Sequence, residues 1–443
     1  MKELVIKIAD PELRELASAV TDGKRLTPAE ALTLYRKADL SLMALLATTV
    51  KRKKSGDAVF FNRNFHIEPS NICVYNCRFC SYHKAKGDPE SWEMTENEIL
   101  DTVRQFDGIP VTEVHITGGV HPSRDIYYYA RLLTSIRQIR PDISIKAFSA
   151  VELDYMIREA GMTYSEGIGL LHEHGLDSIP GGGAEIFDPE LRRRICPEKA
   201  DAETYLAIHE TAHRLGLNSN ATMLYGHAES PEQRIHHMLR LRELQDRTGG
   251  FDAFIPLKFR SGNNSMSGLG EVPVTEDMRN YALSRIFLDN FSHIKAYWPA
   301  IGRNSAMISL AFGTDDLDGT IDDTTKIYSM AGSDEGSTCP SSARGLSCVE
   351  GTSVGFSAGR AASASGLAVS SGVGTVAVKI IADVLSPAIK LWIGSGRPKG
   401  GLFQIQYSPA ATAKSSKNKL IVKPFLRLVD MFPKDFYGNN QSS

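Results

Sequence analysis

Short apolar and β-branched runs alternate with longer helical patterns through the first 335 residues. This alternation predicts repeated strand and helix units and a parallel sheet, because each helix carries the chain back to begin the next strand. Two capping boxes, Thr95 with Glu98 and Ser230 with Gln233, mark helix starts between strands. Eight such units predict an α/β fold of the TIM-barrel type. The predicted strands cover residues 66–70, 111–117, 143–149, 176–180, 217–224, 253–259, 293–298 and 308–312.

The chain divides into three predicted parts, namely an N-terminal helical segment (1–56), a barrel domain (57–335) and a C-terminal tail (336–443). Within the first part, residues 27–54 have apolar positions every three to four residues, which predicts one packing helix. In the tail, 24 of the 40 residues 336–375 are Gly, Ser or Ala. So few large apolar groups cannot form a core, and we expect a flexible or disordered segment.

Composition is that of a soluble protein, with 42% hydrophobic and 23% charged residues. Charges interrupt the first 20 residues at short intervals, so we expect no export signal and a cytoplasmic location. Lys379, Asp383 and Lys390 interrupt the most apolar part of the last third, so we expect no membrane segment. The tail holds 12 Lys or Arg against 4 Asp or Glu, but it lacks interleaved aromatic residues. We therefore expect neither a nucleic-acid nor a membrane partner.

Three of the six cysteines form one cluster, Cys73, Cys77 and Cys80, directly after the first predicted strand. Thiolates at this spacing can converge on a soft metal centre, either zinc or an iron-sulfur cluster. Structural zinc needs four ligands, and only His83 is close enough in sequence to be the fourth. An iron-sulfur cubane held by three cysteines keeps one iron open for a reactant, so this alternative is favoured. A disulfide is not expected in a chain without an export signal.

The sequence Cys-x3-Cys-x-Phe79-Cys resembles the signature of the radical S-adenosylmethionine superfamily. This resemblance implies a [4Fe-4S] cluster bound by Cys73, Cys77 and Cys80, with Phe79 close to the cofactor. In that family, S-adenosylmethionine chelates the open iron, and an electron from the cluster cleaves it to a 5′-deoxyadenosyl radical. A low-potential electron donor such as flavodoxin or ferredoxin is then implied as a partner.

A closer resemblance, to aminofutalosine synthases of the menaquinone pathway, covers most of the barrel. It is carried by HIEPSNICVYNCRFCSYH, VHITGGVHP, GLDSIPGGGAEIF, ICPEK, SNATMLYGHAE and KIYSMAG. It implies a transferase that adds the adenosyl radical to the small-molecule substrate 3-[(1-carboxyvinyl)oxy]benzoate and forms 6-amino-6-deoxyfutalosine. Cyclic dehypoxanthinyl futalosine synthases and deazaflavin-pathway enzymes have overlapping motifs and remain the alternative. A hypothesis of another class is a structural or electron-transfer cluster.

Glycine-rich loops after the second and fourth predicted strands are the candidate cofactor-binding segments. Gly118 and Gly119 match the superfamily segment that receives the methionyl amino group, although a tight turn would also explain them. The sequence Pro-Gly-Gly-Gly-Ala-Glu ends the fourth strand and presents Glu185. This carboxylate is predicted to contact the cofactor, or else to pair with one of the arginines at 192–194. Cys196, in ICPEK, is predicted to be a packing residue.

Alternation along the strands supplies the remaining candidates. Met223 and Tyr225 are predicted to face into the barrel on the same side as His227, with catalytic roles for Tyr225 and His227 and substrate contact for Met223. His66 and Glu68 alternate in the same way before the cysteines, as a substrate-binding and a catalytic residue. A structural histidine and a structural ion pair are the simpler alternatives. Arg303 is a candidate for binding a substrate carboxylate by position alone.

The resemblance ends after KIYSMAG, where the family continues into a short acidic helical segment. This chain passes instead into SDEGSTCPSSARGLSCVEG and a basic low-complexity run. One hypothesis is a shifted reading frame or a mis-joined coding region, and the other is a genuine appended tail. Peptides from residues 345–435 would be absent from the native protein under the first hypothesis.

Overall fold

The computed structural model describes residues 5–318 and 325–333, and the predicted tail lies outside these residues. The helices α1 (Pro11–Asp22), α2 (Pro28–Lys37) and α3 (Leu40–Ser55) precede the barrel within the described residues. The single helix predicted over 27–54 is therefore two helices. The chain is extended at Ala38, and the Asp39 carboxylate accepts a hydrogen bond from the backbone N–H of Leu42 at 2.7 Å. This side-chain cap starts a second helix where apolar periodicity alone indicated continuity.

The described residues contain nine strands, all of them parallel to their neighbours in one sheet of order β1-β9-β8-β7-β6-β5-β4-β3-β2. The strands are β1 (Phe60–Phe61), β2 (Asn64–Ile67), β3 (Glu113–Ile116), β4 (Ser144–Ala147), β5 (Ser178–Ile179), β6 (Asn218–Tyr225), β7 (Phe251–Lys258), β8 (His293–Tyr297) and β9 (Asp316–Asp318).

The two edges of this sheet meet on one short stretch of chain. β1 pairs with β9 and β2 pairs with β3, yet only residues 62 and 63 separate β1 from β2. Asn64 of β2 also donates a hydrogen bond to Asp318 of β9 at 2.9 Å. The sheet thus curls round as predicted for a TIM-type fold, and the carboxyl ends of its strands face one mouth.

Helices connect successive strands and cover the outside of the curled sheet. The predicted capping boxes at Thr95 and Ser230 are confirmed. The connecting helices before β8 are α4 (Glu96–Arg104), α5 (Ile126–Ile139), α6 (Ala150–Glu159), α7 (Tyr164–Glu173), α8 (Pro189–Ile195), α9 (Ala202–Arg214), α10 (Pro231–Thr248) and α11 (Val274–Phe287). Within the described residues, α12 (Trp298–Ile301) and α13 (Arg303–Ser309) follow β8, and α14 (Lys326–Met330) follows β9. No helix of the described residues is long and apolar enough to cross a membrane.

Seven predicted strands overlap observed ones, but the prediction for 308–312 is wrong. That stretch completes α13 and continues as a single 3₁₀ turn, and the last strand is β9. β9 has the sequence Asp-Leu-Asp, whose two carboxylates lie beside Lys295 of β8, each at 3.3 Å. A strand stabilised by buried ion pairs carries no apolar pattern, which is why the sequence signal pointed elsewhere.

The barrel interior is polar and its charges are paired. Lys146 of β4 contacts Glu113 of β3 at 2.6 Å, and both side chains are at least nine-tenths buried. The positive charges of Lys295 and Lys146 lower the pKa of Asp318, although burial alone would raise it. Since β4 and β9 are not neighbours in the sheet, the lysine and the aspartate must act across the interior. Pairing offsets the desolvation cost of these buried charges.

Candidate site at the mouth of the barrel

The cysteine loop follows β2 and lies at the carboxyl ends of the strands. The sulfur of Cys73 accepts hydrogen bonds from the backbone N–H groups of Tyr75, at 3.5 Å, and Val120, at 3.4 Å. The Cys80 N–H donates to the Cys77 carbonyl at 3.1 Å. All four cysteines of the described residues carry free thiols, so the disulfide alternative has no support there. Amide donors aimed at sulfur favour a thiolate, which is the form that binds metal.

The electrostatics of the three thiols indicate a shared environment. Burial raises the pKa of Cys73, Cys77 and Cys80, and the positive charge of Lys199 opposes that rise in each case. Each of these pKa values also responds to a neighbouring thiol or carboxylate charge. Lys199 ends the ICPEK motif but was not among the sequence candidates, because nothing in that motif indicates that it packs beside the cysteines.

The arrangement separates the two metal alternatives. Among residues 5–318 and 325–333, no group of three or more His, Cys, Asp or Glu side chains is placed to hold one metal ion. The Nδ1 atom of His83 contacts the Cys80 carbonyl at 3.3 Å, within the loop itself. A structural zinc ion requires four ligands converging on one point. In a cubane each thiolate binds a different iron, so three neighbouring thiols need not converge, and they fit an iron-sulfur cluster.

Gly118 and Gly119 are needed for contact between two backbones. A Cβ on Gly119 would lie 2.3 Å from the carbonyl oxygen of Ile72, and one on Gly118 would lie 2.8 Å from that of Ser70. The Gly119 N–H donates to the Ser70 carbonyl at 2.8 Å. The glycines therefore let the loop after β3 lie directly on the cysteine loop. Their predicted contact with the cofactor stays a prediction.

Glu152 fixes this glycine loop and was missed by sequence reasoning. It is buried, and its carboxylate accepts hydrogen bonds from Ser149 N–H and Oγ, Thr117 Oγ1 and Gly118 N–H at 2.7–3.2 Å. Burial raises the pKa of Glu152, and the four donors act against that rise. The capping-box spacing of Ser149 and Glu152 is visible in the sequence, but the two additional donors come from the preceding strand and its loop.

Glu185 pairs with Lys199 rather than with an arginine. Lys199 Nζ lies 2.5 Å from Glu185 Oε1, and both side chains are largely buried. Arg192 donates instead to the backbone carbonyls of Ala184 and Ile186. Glu185 has a φ of +49°, in the left-handed region that residues other than glycine rarely adopt. Such strain persists only where surrounding structure enforces it, and it is typical of functional sites.

The segment ICPEK packs against the cysteine loop. The Arg78 N–H donates to the Ile195 carbonyl at 2.9 Å, and the Asn76 N–H donates to Glu198 Oε2 at 3.3 Å. Cys196 is 3% exposed and lies in the hydrophobic core. The charge of a Cys196 thiolate would act on Cys77, so Cys196 is a neighbour of the site. No contact among the described residues makes it a fourth ligand. This placement agrees with a packing residue.

Tyr225 and Met223 do not face the barrel interior, contrary to the prediction. The Tyr225 hydroxyl donates to Asp277 of the outer helix α11 at 2.8 Å, and Lys258 completes this buried cluster at 3.0 Å from Asp277. Met223 lies two residues earlier in β6, shares the outward face and is fully buried. All residues of β6 after Asn218 are buried, so burial on both faces removed the pattern that would have shown the orientation.

His227 lies close to the barrel mouth but is enclosed. Its side chain is 0% exposed, its Nε2 is 3.1 Å from the Leu224 carbonyl, and its Nδ1 is 3.3 Å from Glu229. Burial lowers the pKa of His227, and the carboxylate of Glu229 opposes this. Glu229 also accepts hydrogen bonds from Gly226 N–H and from Arg234. These contacts agree with the structural role that was the simpler alternative, and the catalytic role of His227 stays a prediction.

His66 faces the interior, as predicted, and has a partner that the sequence analysis missed. Its ring centroid lies 4.7 Å from that of His115, its register partner on β3. Both Nε2 atoms are buried and lack a hydrogen-bond partner among the described atoms. Burial lowers the pKa of His115 well below its ordinary value. Two unpaired imidazole nitrogens in a polar interior can bind a polar ligand.

Glu68 holds the KIYSMAG segment. Its carboxylate accepts hydrogen bonds from the backbone N–H groups of Lys326, at 2.9 Å, and Ile327, at 3.4 Å, at the start of α14. Tyr328 of α14 also contacts Tyr297, with ring centroids 5.3 Å apart. This carboxylate therefore positions a short helix beside the last residue of β8, and the catalytic role of Glu68 stays a prediction.

Arg303 lies in α13, and its guanidinium is 5.9 Å from the ring centroid of Trp298. The structure therefore provides it with an aromatic neighbour. Contact of Arg303 with a substrate carboxylate stays a prediction.

The candidate residues lie in two groups. One group contains the thiols, Gly118, Gly119, Glu185 and Lys199. The other contains His66 and His115, which lie deeper on β2 and β3.

Comparisons with known proteins agree with this arrangement. Residues 67–241 match the radical SAM superfamily, and residues 248–343 match the CofH/MqnC C-terminal region. An aminodeoxyfutalosine synthase of Thermus thermophilus is 42% identical over 330 residues, covering 74% of this chain and 88% of that protein. A 5-amino-6-(D-ribitylamino)uracil--L-tyrosine 4-hydroxyphenyl transferase of Methanoculleus marisnigri is 37% identical, covering 71% of this chain and 88% of the transferase.

A solved structure supports the same fold. The crystal structure of methylornithine synthase superposes with a TM-score of 0.56 at 18% sequence identity, covering 70% of this chain and 88% of that one. At that identity the similarity concerns the fold alone. The family match, the close relatives and the three thiols at the mouth of the barrel all agree. The chain belongs to the radical SAM superfamily, in the group that carries the CofH/MqnC C-terminal region.

Proposed function

We propose that this chain is an aminodeoxyfutalosine synthase. The reaction joins the 5′-deoxyadenosyl group of S-adenosylmethionine to 3-[(1-carboxyvinyl)oxy]benzoate, with rearrangement and loss of the carboxylate, and forms 6-amino-6-deoxyfutalosine. The observation that carries this proposal is the 42% identity to the Thermus thermophilus synthase over 88% of its length. The glycine-rich and SNATMLYGH segments, which favour this reaction over its alternatives, lie within the matched region.

The cluster and S-adenosylmethionine, when bound, supply the adenosyl radical. Cys73, Cys77 and Cys80 would hold the cluster, and the loop of Gly118 and Gly119 keeps the cysteine loop in place. The curled sheet encloses the polar interior below the thiols, which limits the access of bulk water and protects a reactive species. The electron would come from a low-potential donor protein.

The substrate would lie in the barrel interior beside His66 and His115. Its two carboxylates require donors, and the lysines of the interior already have acidic partners at 2.6–3.3 Å. The Nε2 atoms of the two histidines have no partner among the described residues, and each can donate in the tautomer that carries its proton on Nε2. Glu68 would act indirectly, by holding the start of α14.

Product analysis tests this function. The full chain is reconstituted anaerobically and incubated with a reductant, S-adenosylmethionine and 3-[(1-carboxyvinyl)oxy]benzoate, and products are identified by mass spectrometry. We expect aminodeoxyfutalosine in proportion to the cluster loaded. Accumulation of 5′-deoxyadenosine without aminodeoxyfutalosine would contradict the proposal. A parallel reaction with L-tyrosine and 5-amino-6-(D-ribitylamino)uracil tests the activity named for the relative that is 37% identical.

A pair of cysteine variants provides the internal control. Cys80→Ala should abolish cluster binding and product formation. Cys196→Ala changes a buried cysteine of the neighbouring segment, and it should keep its iron. If adding S-adenosylmethionine leaves the spectrum of the cluster unchanged, the cluster is structural or an electron carrier instead.

A further inference from the structure

We propose that Lys199 is a positioning residue that sets the reduction potential of the iron-sulfur cluster, and that Glu185 is the opposing charge that limits its effect. This inference rests on the cluster of the proposed function, and it is independent of which substrate the enzyme uses. The cluster carries an electron to S-adenosylmethionine, so its potential decides how readily that electron is accepted and passed on.

Lys199 is held between the cysteine loop and the loop after β5. Its Nζ lies 5.3 Å from the ring centroid of Phe79, the residue directly before Cys80, and 2.5 Å from Glu185 Oε1. The side chains of Lys199 and Glu185 are 14% and 11% exposed. Water therefore screens this charge poorly, and it acts over a longer distance than a surface lysine would.

The backbone around Lys199 is fixed to the same loop. Three hydrogen bonds join the residues before Lys199 to the cysteine loop. The Arg78 N–H donates to the Ile195 carbonyl at 2.9 Å, and the Arg78 guanidinium donates to the Arg194 carbonyl at 3.4 Å. The Asn76 N–H donates to the Glu198 carboxylate at 3.3 Å. The distance between the ammonium group and the thiols is therefore set by the fold, and it does not depend on a mobile side chain alone.

The charge of Lys199 lies beside the proposed ligands. Its ammonium group contacts the ring of Phe79, which directly precedes Cys80, and the segment before it is hydrogen-bonded to Asn76 and Arg78, which flank Cys77. Three thiolates and a cubane form an anionic group, and reduction adds one more negative charge. A fixed cation nearby stabilises the reduced state more than the oxidised state, and so raises the potential.

Glu185 works in the opposite direction. Its carboxylate pairs with the Lys199 ammonium group and so offsets part of the positive charge beside the cysteine loop. Its left-handed φ of +49° shows that the glycine-rich loop holds the carboxylate at this point against a backbone preference. A simple structural ion pair would not need this strain, since a solvent-facing rotamer would serve.

The test is the sign of the potential shift in two variants of the full, anaerobically reconstituted chain. Potentials are measured by titration with titanium(III) citrate, with the reduced cluster followed by electron paramagnetic resonance. Lys199→Gln should lower the ratio of reduced to oxidised cluster at a fixed potential about tenfold, which is a downward shift of 59 mV for a one-electron couple. Glu185→Gln should shift the potential upward, because the anionic cluster keeps Lys199 protonated. Lys199→Arg should stay close to the wild-type value.

Lys258→Gln is the matched control, since Lys258 is also a buried lysine with an acidic partner but faces α11. The cluster potential of Lys258→Gln should equal that of the wild type. If Lys199→Gln fails to bind a cluster, the double variant Lys199→Gln/Glu185→Gln is measured instead, and its potential should lie below that of Glu185→Gln. Shifts of equal sign in the two variants, or no shift in either, would overturn the inference. If the wild type forms product but the variants show no such shifts, only the role of Lys199 is refuted. If the variants show the shifts but the wild type forms no product, only the proposed substrate is refuted.

Discussion

Replacing Glu152 by glutamine tests how the glycine loop is held on the cysteine loop. The carboxylate receives four hydrogen bonds, and its two oxygens share them unequally. Oε2 accepts from Ser149 N–H, Ser149 Oγ and Thr117 Oγ1, whereas Oε1 accepts from Gly118 N–H at 3.2 Å. Glutamine has the same shape, but one of its two terminal atoms is a donor.

The expected loss of stability follows from how the two carboxylate oxygens share these four donors. If the glutamine nitrogen replaces Oε1, it faces the Gly118 N–H, and one buried donor is left unsatisfied. If it replaces Oε2, the hydroxyls of Ser149 and Thr117 can rotate to accept, but the Ser149 N–H cannot. Either orientation strands one buried backbone donor, which costs about 1–3 kcal/mol. Glu152→Gln should therefore lower the free energy of unfolding by that amount.

Urea unfolding followed by circular dichroism measures the change, and Glu166→Gln is the matched control. Glu166 occupies the same position in a capping box with Thr163, but its carboxylate is exposed. The control should therefore have little effect. The iron content of Glu152→Gln after reconstitution should also fall, because the loop it holds donates to the Cys73 sulfur. Equal unfolding free energies for Glu152→Gln and the wild type, or equal losses in both variants, would refute the reasoning.

Four further outcomes are expected. Gly119→Ala places a Cβ 2.3 Å from a carbonyl of the cysteine loop and should lose cluster iron, whereas Gly169→Ala, with open space around it, should keep it. Burial lowers the pKa of His237 to about 3. Below a pH of about 6.5 the unfolded chain therefore protonates this histidine while the folded chain does not, and the free energy of unfolding should fall as the pH drops. In urea titrations between pH 4 and 7, His237→Phe should flatten this fall. His115→Phe should raise the KM for the benzoate substrate while leaving substrate-free 5′-deoxyadenosine formation unchanged. Tyr225→Phe should lower the unfolding free energy without changing product formed per loaded cluster.

The order of the barrel was readable from the sequence because it depends on local patterns. Seven of the strands have β-branched or apolar runs, and the capping boxes at Thr95 and Ser230 are short-range features with a clear chemical cause. The cysteine cluster was readable for the same reason, since its three ligands lie within eight residues of chain. The chemistry class could therefore be predicted without knowledge of any contact.

The orientation of β6 could not be predicted in this way. An amphipathic strand shows which face is buried, but both faces of β6 are covered, one by the interior and the other by helices. Tyr225 has a polar group on the outward side because Asp277, 52 residues later, provides a buried partner there. Only the tertiary arrangement of α11 determines that contact, and the sequence near Tyr225 carries no sign of it.

The partner of Glu185 illustrates a second limit. Three arginines stand at 192–194, and Lys199 is farther along the chain, so proximity in sequence favoured an arginine. In the structure, Arg192 donates to the carbonyls of the glycine-rich loop, which leaves the carboxylate to Lys199. The arginine holds the loop, and the lysine provides the charge beside the cysteines. Because both tasks fall on one short segment packed against the cysteine loop, any substitution that moves ICPEK should change cluster binding and cluster potential together.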